Sequence, residues 1–189
     1  MAPKYPSPEE IKAIFEPMEE GQAEEVIKRV HPDVDWTVVE TPNALCRCPV
    51  SLLTERGKGT HPIAGRYTSL KDFSNNTLRR LLAKMKSDRP VRIKTRNVIG
   101  GGDSEWTIVE LTRMVWSAKM VIRTETESLG GSADMVAGLK FENTYAWCML
   151  FIEEGQIVQV CAYLDSALIR QVLEENEGSV VKSYRAPIV

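Results

Sequence analysis

Asp165 closes the stretch "IEEGQIVQVCAYLDS" (Ile152 to Ser166), whose residues alternate in kind as a half-buried strand does. Glu153-Glu154-Gly155 forms a turn before it. Val158, Val160, Ala162 and Leu164 make one apolar face, and Ile157, Gln159, Cys161, Tyr163 and Asp165 make a mixed one. A carboxylic acid buried among apolar groups keeps its proton to higher pH. Two acid–base groups tuned apart can move a proton between neighbouring atoms of a substrate. Asp165 is a candidate for that work, with Tyr163 on its face able to donate to a substrate oxygen. Asp165 and Ser166 also open a helix, and either would serve as its N-cap.

Two further residues are candidates for acid–base chemistry. His61 stands in a loop punctuated by Gly and Pro, and an imidazole titrates near neutrality. Glu110 interrupts "EWTIVELTRMVW" in line with Trp106, Ile108, Thr112, Met114 and Trp116. A carboxylate in a row with two tryptophans points to an acid in an apolar wall. The competing account is a surface ion pair across strands, with Arg113 on the opposite face. In "FENTYAWCMLF", Phe141, Asn143, Tyr145, Trp147, Met149 and Phe151 share a face. That stripe is either plain core or the wall of a ligand cavity in which Asn143 and Tyr145 orient a ligand. Trp36 joins it if "VDWTVVE" is a strand. His31, before Pro32 at a helix end, reads as capping or exposed.

Several other chemistries find no support. The two histidines lie far apart, and Cys46 and Cys48 have no matching pair or His cluster, so neither zinc spacing nor a disulfide framework is present. Reduced, buried thiols are expected, as in a cytoplasmic protein. "GGGD" lacks the strand-turn-helix context of a dinucleotide fingerprint and reads as a hairpin turn. No Ser-His-Asp arrangement is evident. With a formal net charge of -2 there is no broad electrostatic case for nucleic acid. The densest basic run, Arg79 to Arg96, is interleaved with Leu81, Leu82 and Met85, as on a solvated helix face. No stretch approaches the roughly 18 consecutive apolar residues of a membrane span, and the polar N-terminus has no apolar signal-peptide core.

These residues need a scaffold, and 189 residues with 43% hydrophobic content suffice for a single domain with a substantial core. Ser7, Pro8 and Glu10 predict a capping box, followed by Ile11, Ile14, Phe15 and Met18 on one helical face. Pro17 and Gly21 should end that helix, and Val26, Ile27 and Val30 share a face of a second. Val34 to Glu40 reads as a strand kept short by Pro32 and Pro42. "ERGKGTHPIAGRY" reads as loop, and Leu70 to Met85 as a helix carrying Phe73, Leu78, Leu81, Leu82 and Met85. Four long strands follow: Val91 to Ile99, Glu105 to Trp116, Phe141 to Ile152 and Ile157 to Leu164. A loop over Glu127 to Gly138 and a last helix over Ser166 to Asn176 complete the pattern. Helices first and a meander of antiparallel strands after them predict an α+β fold, with helices on one face of a curved sheet.

The last third, "GLKFENTYAWCMLFIEEGQIVQVCAYLDSALIRQVL", resembles the C-terminal signature of the nuclear transport factor 2-like superfamily, and its SnoaL-like, ketosteroid-isomerase-like branch in particular. The shared features are an aromatic-rich strand, a Gly hairpin, a strand ending Tyr163-Leu164-Asp165 and a short helix. "HPIAGRYTSLKDF" resembles the family's Pro-x-x-Gly loop followed by an aromatic, here Tyr67, and Trp36 fits the first-strand position. The likeness covers most of residues 8 to 176 of one domain spanning 1–189, leaving a tail at 177–189. An insertion near 119–138 is longer than in short members.

The resemblance implies a cone-shaped, curved antiparallel sheet enclosing an apolar cavity with the N-terminal helices. It also implies a homodimer through the outer sheet face and no cofactor. Asp165 matches the acid–base position, and the likeness puts His61 near the cavity mouth. The function implied is isomerisation, cyclisation or dehydration of a hydrophobic polyketide or terpenoid. Asp165, His61 and Glu110 would move the proton. Tyr163, Tyr145 and Asn143 would orient an oxygen, and Trp36, Tyr67, Trp106 and Trp147 would shape the pocket. An epoxide-type hydrolase and a non-catalytic binding or dimerisation module are the alternatives in the same fold.

Overall fold

A computed structural model describes residues 4–39, 61–84, 92–116 and 140–177. The insertion near 119–138, the tail beyond 177, Met85, Cys46 and Cys48 lie outside those ranges.

The capping box forms as its residue types require. Ser7 Oγ accepts from Glu10 N at 3.2 Å, and Glu10 Oε2 accepts from Ser7 N at 2.8 Å. Helix α1 (Pro8–Phe15) then buries Ile11 and Phe15. A 3-10 turn over Glu16–Glu20 carries Pro17 and ends at Gly21, whose φ of 86° is left-handed. Helix α2 (Ala23–Ile27) is shorter than its apolar face suggested, because Val30 already opens strand β1 (Val30–Val38). Pro32 lies inside β1 without ending it. The pairing with the neighbouring strand shifts between Val30 and Asp35, so this stretch asks for no ladder N–H from proline.

The segment read as loop before Tyr67 contains strand β2 (Gly65–Tyr67), paired antiparallel with β1. Ser69 caps helix α3 (Leu70–Phe73), which passes through a π turn (Ser74–Leu78) into helix α4 (Arg79–Leu82). The long strands are β3 (Ile93–Gly100), β4 (Trp106–Trp116), β5 (Lys140–Phe151) and β6 (Ile157–Tyr163), followed by helix α5 (Ser166–Glu177).

The six strands form one curved α+β sheet in the order β2-β1-β6-β5-β4-β3. The expectation of a wholly antiparallel sheet needs one correction. β1 lies parallel to β6, which demands a long connection, and the whole run from β2 through β5 supplies it. Along β4, Thr107, Val109, Leu111 and Arg113 are buried, while Ile108 is exposed and Glu110 and Thr112 are half-buried. Val109 and Leu111 of this set pack with α1, the 3-10 turn and α3 in the main core, and we call their side of the sheet the inner side. A second cluster joins Phe141 to Ile63, Leu81 and the buried face of α5, and Leu164 packs against both clusters.

A bulge in β6 decides which of its residues face the core. Phe151 pairs with Ile157 but Leu150 pairs with Gln159, so β6 carries one extra residue there. Ile157 therefore joins Val160 and Ala162 in the core, although simple alternation separates them. Tyr163 pairs with Ala146, which pairs with Glu110, and this row lies on the outer side. Its facing is the reverse of the one expected. Cys161 is disulfide-bonded, which corrects the expectation of reduced thiols throughout, and it lies opposite Cys148 across the ladder.

Candidate functional site

The inner side of β4 and β5 presents successive cross-strand pairs. Arg113 faces Asn143, Leu111 faces Tyr145 and Val109 faces Trp147. All six are buried, with Asn143 at 0% and Arg113 at 4% exposure. Trp147 meets Trp36 edge-on at 5.2 Å between ring centroids, and Trp36 stacks on Phe73 at 3.8 Å. Phe15 of α1 approaches Trp147 at 6.1 Å. The interior is thus an aromatic wall with a polar patch at its β4–β5 end.

Each polar group in the patch has a defined electrostatic state. The Arg113 guanidinium hydrogen-bonds Tyr145 and lies 5.5 Å from the Phe141 ring centroid. Burial pushes Arg113 below the usual guanidinium range, and Tyr145 opposes this only in part. Burial pushes the Tyr145 phenol up, against the smaller pull of the nearby cation, so it holds its proton near neutrality. Arg113 can only donate to the phenol oxygen, which leaves the phenol hydrogen available to an acceptor. Asn143 Oδ1 accepts from the backbone N–H of Asp165 at 3.1 Å. Arg113 Nε and Nη2, Asn143 Nδ2 and Trp36 Nε1 have no partner among the described residues. Every one of them is a donor.

The residues expected to form the site are only partly brought together. Asn143, Tyr145, Trp147 and Trp36 share the inner side. Tyr67 is buried there too, but its hydroxyl donates to the carbonyl of Ile63 at 2.8 Å. His61 is 2% exposed, in the turn before β2, and its carbonyl accepts from Ala64 N at 3.1 Å. Asp165 is exposed, and its Oδ1 accepts from Leu168 N at 3.0 Å as the cap of α5. Glu110, Trp106 and Tyr163 belong to the outer side of the sheet.

The residue that sequence reasoning misses is Arg113, whose place on the face opposite Glu110 suggests only an ion-pair partner. Its signal lay in the alternation Thr107, Val109, Leu111, which is as apolar as the Ile108 row and carries no other charge.

Among the described residues no group of three His, Cys, Asp or Glu side chains could hold a metal ion, and no helix is long and apolar enough to cross a membrane. The chain shares its fold with solved structures. No family model matches it. It is 30% identical over 174 residues to the dimerizing cyclase phiC of Fungal sp. (strain ATCC 74256), covering 92% of this chain and 60% of that protein. The chain therefore spans about 60% of the length of the curated relative it matches. Two solved structures share the fold at low identity. TerC, co-crystallised with polyporic acid, superposes with a TM-score of 0.54 at 16% identity, covering 89% of this chain and 99% of its own. AclR, a putative hydroxylase from Streptomyces galilaeus, gives 0.51 at 12% identity, covering 89% and 87%.

Proposed function

We propose that this chain is a cofactor-independent acid–base enzyme of the SnoaL-like, ketosteroid-isomerase-like kind. Its substrate would be an apolar, oxygen-bearing small molecule such as a polyketide intermediate, and its reaction cyclisation, isomerisation or dehydration. The observation that carries this is the row of buried donors, Arg113, Asn143 and Tyr145, set in the aromatic inner wall beside Trp147. Removing a proton next to a carbonyl builds negative charge on the carbonyl oxygen. Fixed donors in a water-poor site stabilise that charge without reorganising. Tyr145, protonated and polarised by Arg113, would donate to the oxygen. His61 is the buried member of the three acid–base candidates and would move the proton. Asp165 would position the site through its backbone and through α5.

The relative's name, a dimerizing cyclase, agrees with a cyclisation. A second copy of the chain would pack on the outer side, where exposed Ile99 and Ile108 face each other across β3 and β4.

The test is incubation in D2O with a panel of polyketide-derived and cyclic enones, read by mass spectrometry. Deuterium should enter beside the carbonyl of at least one with the wild-type chain, and His61→Ala and Tyr145→Phe should abolish it. If every ligand is returned unexchanged, the chain is a binding module and not an acid–base enzyme.

A further inference from the structure

The geometry points to a buried carboxylate-binding site formed by Arg113 and Asn143, so that the small molecule taken into the inner face carries a carboxylate. This rests on the inner face being a small-molecule site, as proposed above, and adds the charge of what enters it.

A guanidinium at 4% exposure with no counter-charge among the described residues is unusual, because taking a charge out of water is costly unless another group compensates. Among the described residues the buried polar and charged side chains are His61, Thr77, Thr95, Thr107, Arg113 and Asn143. None is a carboxylate.

The edge of Arg113 that lacks a partner among the described residues is Nε with Nη2. Arg66 and Arg80 use the same edge for carboxylates. Arg66 Nε and Nη2 hold the two oxygens of Asp35 at 2.8 Å each, and those of Arg80 hold Glu177 at 2.8 and 2.6 Å. This side-on fork matches the spacing of two carboxylate oxygens. In Arg113 the fork is built and buried, and it has no partner among the described residues.

Asn143 completes the site. It lies directly opposite Arg113 across the β4–β5 ladder. Since a backbone N–H only donates, the bond from Asp165 fixes the amide oxygen, and the NH2 group is left to donate elsewhere. Two guanidinium donors and one amide donor can serve both oxygens of one carboxylate. Phe141, Tyr145 and Trp147 flank them for the apolar body of the ligand.

The neighbouring sheet edge has the same sign. A cleft of about 640 Å³ beside β3 is lined by Arg92, Lys94 and Arg96 against the single carboxylate of Glu19. Those cations make no ion pair among the described residues. Ile93, between Arg92 and Lys94, is the β3 partner of Arg113, so the basic edge adjoins the buried fork.

The experiment compares 2-naphthoate with 2-naphthamide, the same apolar body with and without the charge, by isothermal titration calorimetry at neutral pH. The wild-type chain should bind the acid at least tenfold tighter than the amide. Arg113→Met should lose that preference and Arg113→Lys should keep part of it. Equal affinities, no binding of the acid at millimolar concentration, or a preference that survives in Arg113→Met overturns the site. If Arg113→Met does not fold, the Arg113 Nε–H proton in the wild-type chain decides. It should move downfield with the acid and not with the amide, and an unmoved signal overturns the site. Deuterium exchange into a neutral enone separates the two proposals. Exchange without acid preference leaves the acid–base reading standing alone, and preference without exchange leaves the carboxylate site alone.

Discussion

The backbone N–H of Asp165 donates to Oδ1 of Asn143 at 3.1 Å, tying the start of α5 to the inner side of β5. The same amide has a donor opposite Arg113 with no partner among the described residues, so one buried side chain joins the scaffold to the proposed site. Asn143→Leu keeps the volume but removes both functions. It should lower stability by about 1–3 kcal/mol, read as a lower urea midpoint at unchanged slope. Asn143→Asp keeps the acceptor for Asp165 and places an internal carboxylate beside Arg113. That variant should fold and lose its preference for 2-naphthoate.

Asp165 caps α5, and the proposed reading gives the proton transfer to the buried His61 instead. The Asp165 carboxylate accepts from Leu168 N at 3.0 Å, as an N-cap does. Asn caps as well as Asp, so Asp165→Asn should leave the urea midpoint and the rate of deuterium exchange nearly unchanged. Asp165→Ala should cost about 1 kcal/mol of stability. His61→Ala should lower exchange by about 10²–10⁴-fold, the usual size of a general acid–base contribution. A large loss of rate in Asp165→Asn at unchanged stability would return the proton transfer to Asp165.

The fold was legible wherever a local signal agreed with the tertiary one. Ser7, Pro8 and Glu10 specify a helix start by their own hydrogen bonds, and the stripe from Phe141 to Phe151 specifies a buried strand face by its period. Legibility failed at irregularities, which have no sequence period. The β6 bulge at Ile157–Gln159 moves every later residue to the other side, and Tyr163 goes with it. Pro32 reads as a stop in the sequence because the shift in pairing that accommodates it is a property of two strands, not one. The parallel β1–β6 pair joins strands too far apart in the chain for any local pattern to record it. Arg113 escapes a sequence reading because a charge in a strand is ordinarily solvated. Only the burial of Val109 and Leu111 on its own side shows that this one is not.

Arg113 and Tyr145 should cost stability as well as serve binding. A buried cation whose partner is a neutral phenol recovers only part of its lost hydration. Replacing both by apolar residues, Arg113→Met with Tyr145→Phe, leaves neither group orphaned. The double variant should be more stable than the wild-type chain by about 1–3 kcal/mol while losing both acid preference and exchange. Tyr145→Phe alone leaves the guanidinium without its hydrogen bond and should destabilise. The four urea midpoints form a double-mutant cycle with a sizeable interaction term. A double variant clearly less stable than the wild-type chain would mean that the pair is structural.

Arg80 links α4, α5 and the turn that holds His61. Its Nε and Nη2 reach Glu177 at 2.8 and 2.6 Å, and its Nη1 donates to the carbonyl of Pro62 at 3.0 Å. The hydrogen bond from Arg80 holds the Glu177 carboxyl below the usual carboxylate range. A depressed folded value means that the unfolded chain binds the proton first as pH falls. The contribution is therefore complete above the ordinary value of 4.5 and is lost as pH drops through the lower folded one. The pair is partly exposed, so its size should be about 0.5–1 kcal/mol. Glu177→Gln should flatten the pH dependence of the urea midpoint across this acid window and change little at neutrality beyond that amount. Arg80→Lys cannot reproduce the fork and the third bond together. It should loosen the Pro62 carbonyl and, if His61 moves the proton, lower exchange more than Glu177→Gln does. Equal rates in the two variants would show that the turn keeps His61 in place without Arg80.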